Sequence, residues 1–458
     1  MRKSILFLAS FALLVIMSCA DTTKTSGPDW QYLYKGEDLS GFVQRGGEAL
    51  FEAKDSLIVG TTVWDTPNSF LCTENNYSDF ILELEFKVAP DMNSGVQIRS
   101  NSDPDYRNGR VHGYQVEIDP SDRAFTGGIY DEARRGWLYP LNAPENEEAR
   151  KAFKHGDWNH FRVEVIGNRI KTWLNDVPVS NLVDEKTDSG FIALQVHSIR
   201  DSAKIGEQIM WKNIRILTEN LDQYSQETPA LERSYLINEL TENEKEKGWK
   251  LLFDGESSEG WRKAHGEEFP EFGWIIEDGV LTVVESGGAE SQHGGDIVTL
   301  DEYSDFDLRL QVKYTEGANS GIKYFVTEKE ETSGSAIGLE YQILDDFNHP
   351  DAKLGNHPGS RTLASLYDLI KAENKRRNGI GMWNNVRLVS DGMHVEHWLN
   401  GFKVLEYERG SEEFRKLVEE SKYANWENFG EAEEGHILLQ DHGDRVSFRS
   451  IKILELDQ

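Results

Sequence analysis

This chain is poor in cross-links, in basic residues and in long apolar runs. Its 458 residues hold two cysteines, Cys19 and Cys72, which excludes a disulfide-stapled scaffold. Lys and Arg total 49 against 80 Asp and Glu, giving a formal net charge of −31. That field repels nucleic acid and anionic headgroups, so neither is expected as a partner. Proline is sparse at 12 residues. Beyond residue 19 no stretch approaches the ~20 apolar residues of a membrane span. Helical periodicity is confined to short stretches such as 412–422, so helices are not expected to build the fold.

What the chain does have, it has twice. YSDFILELEF (77–86) is echoed by YSDFDLRLQV (303–312), and NSG recurs at 93–95 and 319–321. WN recurs at 158–159 and 383–384, LN at 174–175 and 399–400, and LQxH at 194–197 and 439–442. A common order with slowly drifting spacing means two copies of one domain, with insertions in the second. The expected division is a first copy over 30–219, a linker over 220–248 and a second copy over 249–458. Residues 1–19 read as a lipoprotein signal: Arg2 and Lys3, an apolar run, then Ile16-Met17-Ser18-Cys19. Cys19 would be lipidated and become the mature N-terminus, with 20–29 as a tether; an ordinary secretory signal is the alternative. Ala20 after the cysteine favours the outer membrane of a Gram-negative bacterium, facing periplasm or surface. Cys72 reads as a buried small hydrophobe.

Strand signals dominate both copies. Phe80, Leu82, Leu84, Phe86 and Val88 alternate with Ile81, Glu83, Glu85 and Lys87, and Phe306, Leu308, Leu310 and Val312 repeat the pattern. Period two over eight residues means a strand with one face in a core. FRVEVIGNRIKTWLN (161–175) and VRLVSDGMHVEHWLN (386–400) each read as strand, turn, strand, and Asn400-Gly401 offers a further turn. The predicted class is all-β, with two packed antiparallel sheets per copy.

Some strands carry polar residues at alternate positions. Gln115 and Glu117 share one face of GYQVEID, and Glu340 and Gln342 share one face of the matching GLEYQILDD, in swapped order. Gln195 with His197, and Gln440 with His442, do the same in the LQxH strands. Amides serve hydroxyl groups, a carboxylate can act as base and a histidine can move protons near neutral pH. A solvated sheet face is the plain alternative. Tyr130 and Tyr367 occupy matching places, as ligand-facing phenols or core-edge tyrosines. Asp345, Asp346 and His349, with Asp119 in the first copy, are candidate ligands for a divalent metal, though no strong metal-site spacing appears. Arg99 and Trp398 are further candidates for contacting a ligand. His397 falls on the core face of its strand by alternation, which reads as an unusual pleat or a functional histidine.

Together the runs ANSGIKYFV, LEYQILDD, LASLYDLI, WNNVRLV, VEHWLNGFKVLEYE and GHILLQDHG resemble the 3-keto-disaccharide hydrolase family, also described as 3-keto-glucoside 1,2-lyase and 3-keto-glucal hydratase. The first copy resembles it through LYKGEDLSGF, NSGVQIRS, GYQVEID, GGIYD and ALQVHS. The resemblance implies two tandem concanavalin A-like, jelly-roll sandwiches. It implies cleavage of 3-keto-glucosides by elimination, hydration or both, with a 3-dehydrogenase acting upstream and a divalent metal as a candidate cofactor. For that chemistry the candidate catalytic residues among the polar positions are Glu340, His442, Asp345 and Tyr367, and Glu117, His197, Asp119 and Tyr130, with the histidines as proton carriers and the carboxylates as base or metal ligands. Gln342, Gln440, Gln115 and Gln195 would bind substrate. The competing expectation is a tandem carbohydrate-binding protein without catalysis, because the sandwich serves lectins equally well.

Overall fold

The computed structural model describes residues 27–287, 293–328, 336–426 and 428–456; the signal segment and Cys19 lie outside the described residues. The chain forms two all-β sandwiches. Among the described residues the α-helices are short: Glu147–Lys151, Glu242–Glu246 and Glu412–Glu419.

In the first copy the front sheet runs, in spatial order, Gly136–Tyr139, Ile129–Glu132, His112–Ile118, Ser94–Asn101, Phe191–Val196, Ser69–Thr73, Phe42–Gly46. Its back sheet is built around Asn159–Ile166, Phe80–Val88 and Gln208–Leu217. The second copy repeats the plan. Its front sheet runs Trp261–Lys263, Ile297–Thr299, His436–Leu439, Asn319–Thr327, Ile337–Leu344, and its back sheet centres on Phe306–Tyr314 between Val446–Glu455 and Asn384–Asp391.

Alternation explains the two cores. Phe80, Leu82, Leu84, Phe86 and Val88 pack against Val96, Tyr114, Val116 and Leu194 of the front sheet. Phe306, Leu308, Leu310 and Val312 meet Ile322, Tyr341, Ile343 and Leu439. Each such side chain contributes roughly 1.5–3 kcal/mol by leaving water. The intervening outward positions carry ion pairs: Glu83 meets Arg162 at 2.7 Å and Arg215 at 2.5 Å, and Asp307 meets Arg309 at 2.7 Å and Arg387 at 3.0 Å. Cys72 is fully buried, and burial pushes its thiol up to about 12.

The joining segment is folded onto both copies. Glu232–Ser234 adds a strand parallel to Val177–Val183, and Thr241 caps Glu242–Glu246 through a reciprocal capping box with Glu244. Asn238 accepts from the Ser450 N–H at 2.7 Å, and Tyr235 donates to Leu138 O at 2.7 Å.

His397 belongs to the core and not to a functional surface. It is wholly buried, with Nε2 2.8 Å from Tyr324 Oη and Nδ1 2.9 Å from Ala364 O. The Ala364 carbonyl can only accept, so Nδ1 carries the proton and Nε2 accepts from the tyrosine. Val395, His397 and Leu399 all turn inward, and the pairing with Phe402–Glu408 shifts register between His397 and Trp398; two hydrogen bonds make the buried ring tolerable. Burial lowers its pKa from 6.5 to about 4, so the neutral ring stabilises the fold above pH 6.5 and that stability is lost as pH falls towards 4. A loss on the order of 3 kcal/mol is expected over that window. The imidazole resonances of His397 should not move between pH 8 and 5.5; a midpoint near 6.5 would contradict this assignment.

Candidate active clefts on the two front sheets

The residues of the front strands that do not face the core form the candidate sites. Val96, Tyr114, Val116, Leu194 and Val196 point inward, so Gln97, Gln115, Glu117 and Gln195 point outward. In the first copy Gln115, Glu117, Gln195, His197, Tyr130 and Trp137 line a cleft of about 970 Å³, with Arg123 beside Glu117. That volume suits a disaccharide-sized ligand, at the upper end of the range usual for small-molecule sites.

Strand register shows how the copies correspond. Gly95 faces Glu117 and Gln97 faces Gln115; Gly321 faces Gln342 and Lys323 faces Glu340. Gln115 therefore corresponds to Glu340, and Glu117 to Gln342. The glycine of each NSG makes room for one of them. A Cβ on Gly95 would lie 2.5 Å from Gln115 Cδ, and one on Gly321 would lie 2.4 Å from Glu340 Oε1.

In the first copy, Glu117 accepts from Asn93 Nδ2 at 2.7 Å and from Gln115 Nε2 at 2.8 Å. Gln97 Nε2 donates to Gln115 Oε1 at 2.6 Å, and Ser100 Oγ to Gln97 Oε1 at 2.6 Å, which fixes the orientation of each amide. Arg123 lies 3.6 Å from Glu117 and is held by Asp119 at 2.7 Å. Burial dominates over these donors and pushes the Glu117 carboxyl up to about 7.

In the second copy Glu340 is also buried, and burial raises its pKa against the opposing pull of Lys323, Lys422 and His442. Asn319 Nδ2 lies 3.1 Å from His442 Nε2, and Gln342 Nε2 donates to Asn319 Oδ1 at 3.2 Å. The His349 and His442 rings meet edge to face at 6.3 Å. Tyr367 donates to Asp351 at 2.9 Å, and Arg361 holds Asp351 at 2.8 Å. Both amide atoms of Gln195, and the Oε1 atoms of Gln342 and Gln440, are buried without a protein partner. Such groups suit sugar hydroxyls.

Several expected site residues lie elsewhere. Arg99 does not face the cleft. Its left-handed φ of 43° at a bulge turns it to Ser78 O, Gly167 O and Asp79. Trp398 sits on the back sheet, donating to Glu396, and lines a small cavity between the copies. The acids named as metal ligands do not converge. Asp345 accepts from Gly317 N, Phe347 N and Asn348, while Asp346 takes Leu363 N–H and Lys375. Asp119 takes Ser121, Phe125 N–H and Arg123, and His349 Nδ1 accepts from Asp351 N. Among the described residues one trio has metal-like geometry, His394, Glu396 and Glu406, with ligand atoms within 4.8 Å of one another. It lies on the back sheet, where Lys403 already bridges both carboxylates at 3.0 and 2.6 Å. These donor sets do not fit a catalytic divalent ion at either cleft.

Other residues of the clefts escaped sequence reasoning. Asn93 and Asn319 open the NSG repeat, so their signal was present. Lys323 follows Gly321 by two on the same face. Arg123 and Lys422 arrive from loops, and Asp351 from the 3-10 turn Pro350–Lys353, without a local pattern.

Fold and front-sheet residues define a tandem sandwich protein in which each copy buries a carboxyl of raised proton affinity among polar side chains. The family model for the 3-keto-alpha-glucoside-1,2-lyase-like domain matches residues 29–217 and again 248–454. The chain belongs to this family, in two copies. It is similar to the 3-keto-disaccharide hydrolase of Bacteroides thetaiotaomicron, 36% identical over 231 residues that cover 46% of this chain and 79% of the relative. A solved structure of a candidate glycosyl hydrolase from Parabacteroides distasonis is 32% identical, covering 48% of this chain and 100% of that one, with a TM-score of 0.43. A second from the same organism is 30% identical, covering 45% and 99%, with a TM-score of 0.36.

Glu117 should titrate near pH 7 in a carboxyl ¹³C experiment. Because its folded pKa is raised, its contribution favours the folded state at low pH and fades as pH climbs from 4.5 through 7. Glu117→Gln should remove that slope from the stability profile. A midpoint near 4.5 would show the cleft to be wetter than its geometry implies.

Proposed function

We propose that the chain cleaves 3-keto-glycosides by elimination and hydration. A ketone at C3 acidifies the C2 proton. The carboxylate takes that proton, the C2–H electron pair forms the C1–C2 double bond and the C1–O bond breaks. The aglycone leaves with a proton from a general acid, and the ring is left as an enone. Water then adds at C1 and a proton returns to C2, so the sum is hydrolysis. Arg123 in the first cleft, and Lys323 with Lys422 in the second, are placed to stabilise negative charge developing on the C3 oxygen. His197 and His442 are the candidates for protonating the leaving group.

One observation carries this reading: each cleft buries a carboxyl whose proton affinity is raised, beside a cation and near a histidine. A lectin face can use amides, ionised carboxylates and aromatic rings to hold hydroxyl groups, but it gains nothing from a carboxyl whose proton affinity is raised towards neutrality. Such a group suits a base that must work near neutrality. Compared copy against copy, the carboxyl is displaced by two strand positions, from the place opposite the NSG glycine to the place opposite Lys323, a shift of about 6–7 Å along its own strand. That exceeds the reach of a proton transfer, so the clefts treat different intermediates.

Substrate must come from a reaction that oxidises a glycoside at C3, the work of a 3-dehydrogenase. The leader supports delivery to the cell envelope, with Cys19 as the lipid anchor. Palmitate labelling should vanish in Cys19→Ser; labelling that persists would refute the anchor.

Full-length protein should release aglycone from a 3-keto-glucoside and leave the unoxidised glucoside intact. Glu340→Gln and Glu117→Gln, made separately, should each slow one step about 10²–10⁴-fold, with an enone that absorbs in the ultraviolet building up when hydration is the step lost. Unchanged turnover in both variants would end the proposal, and tight binding without turnover in wild type would favour a lectin.

A further inference from the structure

The Asn400-Gly401 turn of the second copy has a role beyond joining two strands. Asn400 and Gly401 adopt left-handed φ of 50° and 80°, the geometry of a two-residue hairpin between His394–Leu399 and Phe402–Glu408. The turn presses on the edge of the first copy's front sheet. A Cβ on Gly401 would lie 2.8 Å from Pro140 Cγ, immediately after the strand Gly136–Tyr139. Next in sequence, Phe402 packs against the first copy's core, although it belongs to the second copy.

Phe402 meets Phe125 with ring centroids 6.3 Å apart, and Arg376 lies 4.2 Å over its ring. Phe125 stands edge-on to Trp137 at 5.0 Å and 85°. Arg123 rests on both rings, 5.1 Å from Phe125 and 5.0 Å from Trp137, before reaching Glu117 at 3.6 Å. Trp137 in turn stands 5.3 Å from Tyr130. A continuous line of contacts therefore runs from a turn of one domain to the carboxyl in the cleft of the other.

We propose that Phe402 is a positioning residue for the first cleft, holding the Phe125–Trp137 surface on which Arg123 lies. The first copy's site is then complete only with the second copy docked. An arginine held by one carboxylate, Asp119, would otherwise sample other rotamers, and the aromatic surface is what directs it towards Glu117. The groups facing Glu117 are Asn93, Gln115, Arg123, Asp119 and Tyr130. Glu132 with its partner Arg110, and His197, share the cleft, and Arg376 faces Arg123 from the second copy. Of those nearest to Glu117, Arg123 is the cation that favours its charged form, so freeing Arg123 moves the Glu117 titration upward.

The role of Phe402 as base-positioning support rests on the proposed function, but its geometry is testable without turnover. The Glu117 carboxyl is followed by ¹³C NMR in full-length wild type, Phe402→Ala, Phe402→Tyr and Arg123→Gln. Phe402→Ala should shift the midpoint upward by about half a unit to one unit, in the same direction as Arg123→Gln, while Phe402→Tyr stays at the wild-type value. If turnover is observed, Phe402→Ala should also lower the kcat of the Glu117-dependent step several-fold, with Phe402→Tyr restoring it. Should Phe402→Ala fail to fold, Phe402→Leu, which keeps an apolar side chain but removes the ring that meets Phe125, replaces it with a smaller upward shift expected. A Glu117 midpoint that follows Arg123→Gln but ignores Phe402→Ala, or Phe402→Leu in its place, would overturn the proposal, whatever the protein's activity. Absence of turnover alongside the expected shifts would instead count against the proposed reaction alone.

Discussion

A β-strand has two faces, and in each front sheet one of them is committed to the core. Every polar group on the other face is placed by that commitment. Val116 and Ile118 enter the core, so Glu117 must point out of it. Tyr341 and Ile343 enter the second core, so Glu340 and Gln342 must point out of theirs. The cleft residues are thus set in position by apolar packing on the reverse of the sheet. A slip of one residue would exchange core for cleft entirely.

Both clefts take this rigid arrangement and load it with a cost. A carboxyl removed from water holds its proton more tightly, and the surrounding amides only partly offset the penalty. The first copy balances Glu117 with two neutral donors and a more distant arginine. The second balances Glu340 with lysines. The NSG glycine serves both copies, because what it accommodates is the side chain at one register position, glutamine in one copy and glutamate in the other. Exchange of Glu and Gln along one face therefore changes where a proton can be handled while leaving the strand, its core face and its glycine untouched.

The fold was legible because period-two alternation reflects which face of a strand enters the core, and Phe80–Val88 and Phe306–Tyr314 show it most clearly in their second halves, where buried and half-buried positions alternate. The polar positions of Gln115, Glu117, Glu340, Gln342, Gln195 and Gln440 were legible for the same reason. Arg99 was misplaced because the strand bulges after Ile98, and parity counted along the sequence fails once one residue turns left-handed. Trp398 was misplaced because its alternation was sound but its sheet was the back one, which no local pattern distinguishes from the front. Asp345 and Asp346, adjacent in sequence, and Asp119 in the first copy tie down loops through backbone N–H groups, a use that looks like metal ligation until the partners are seen. His397 reads as anomalous only until its two hydrogen bonds are counted. Arg123 and Lys422 were invisible, since a loop side chain reaches a cleft through tertiary structure alone.

Chemistry at C2 separates elimination from every direct displacement at the anomeric carbon. The most direct measurement is turnover of a 3-keto-glucoside in D₂O, with the released sugar examined for isotope at C2. Deuterium at C2 is expected, because the proton removed by the carboxylate exchanges with solvent before one is returned. Aglycone release with the original C2 proton retained in the product would mean that the buried carboxyls do not act as bases at that carbon.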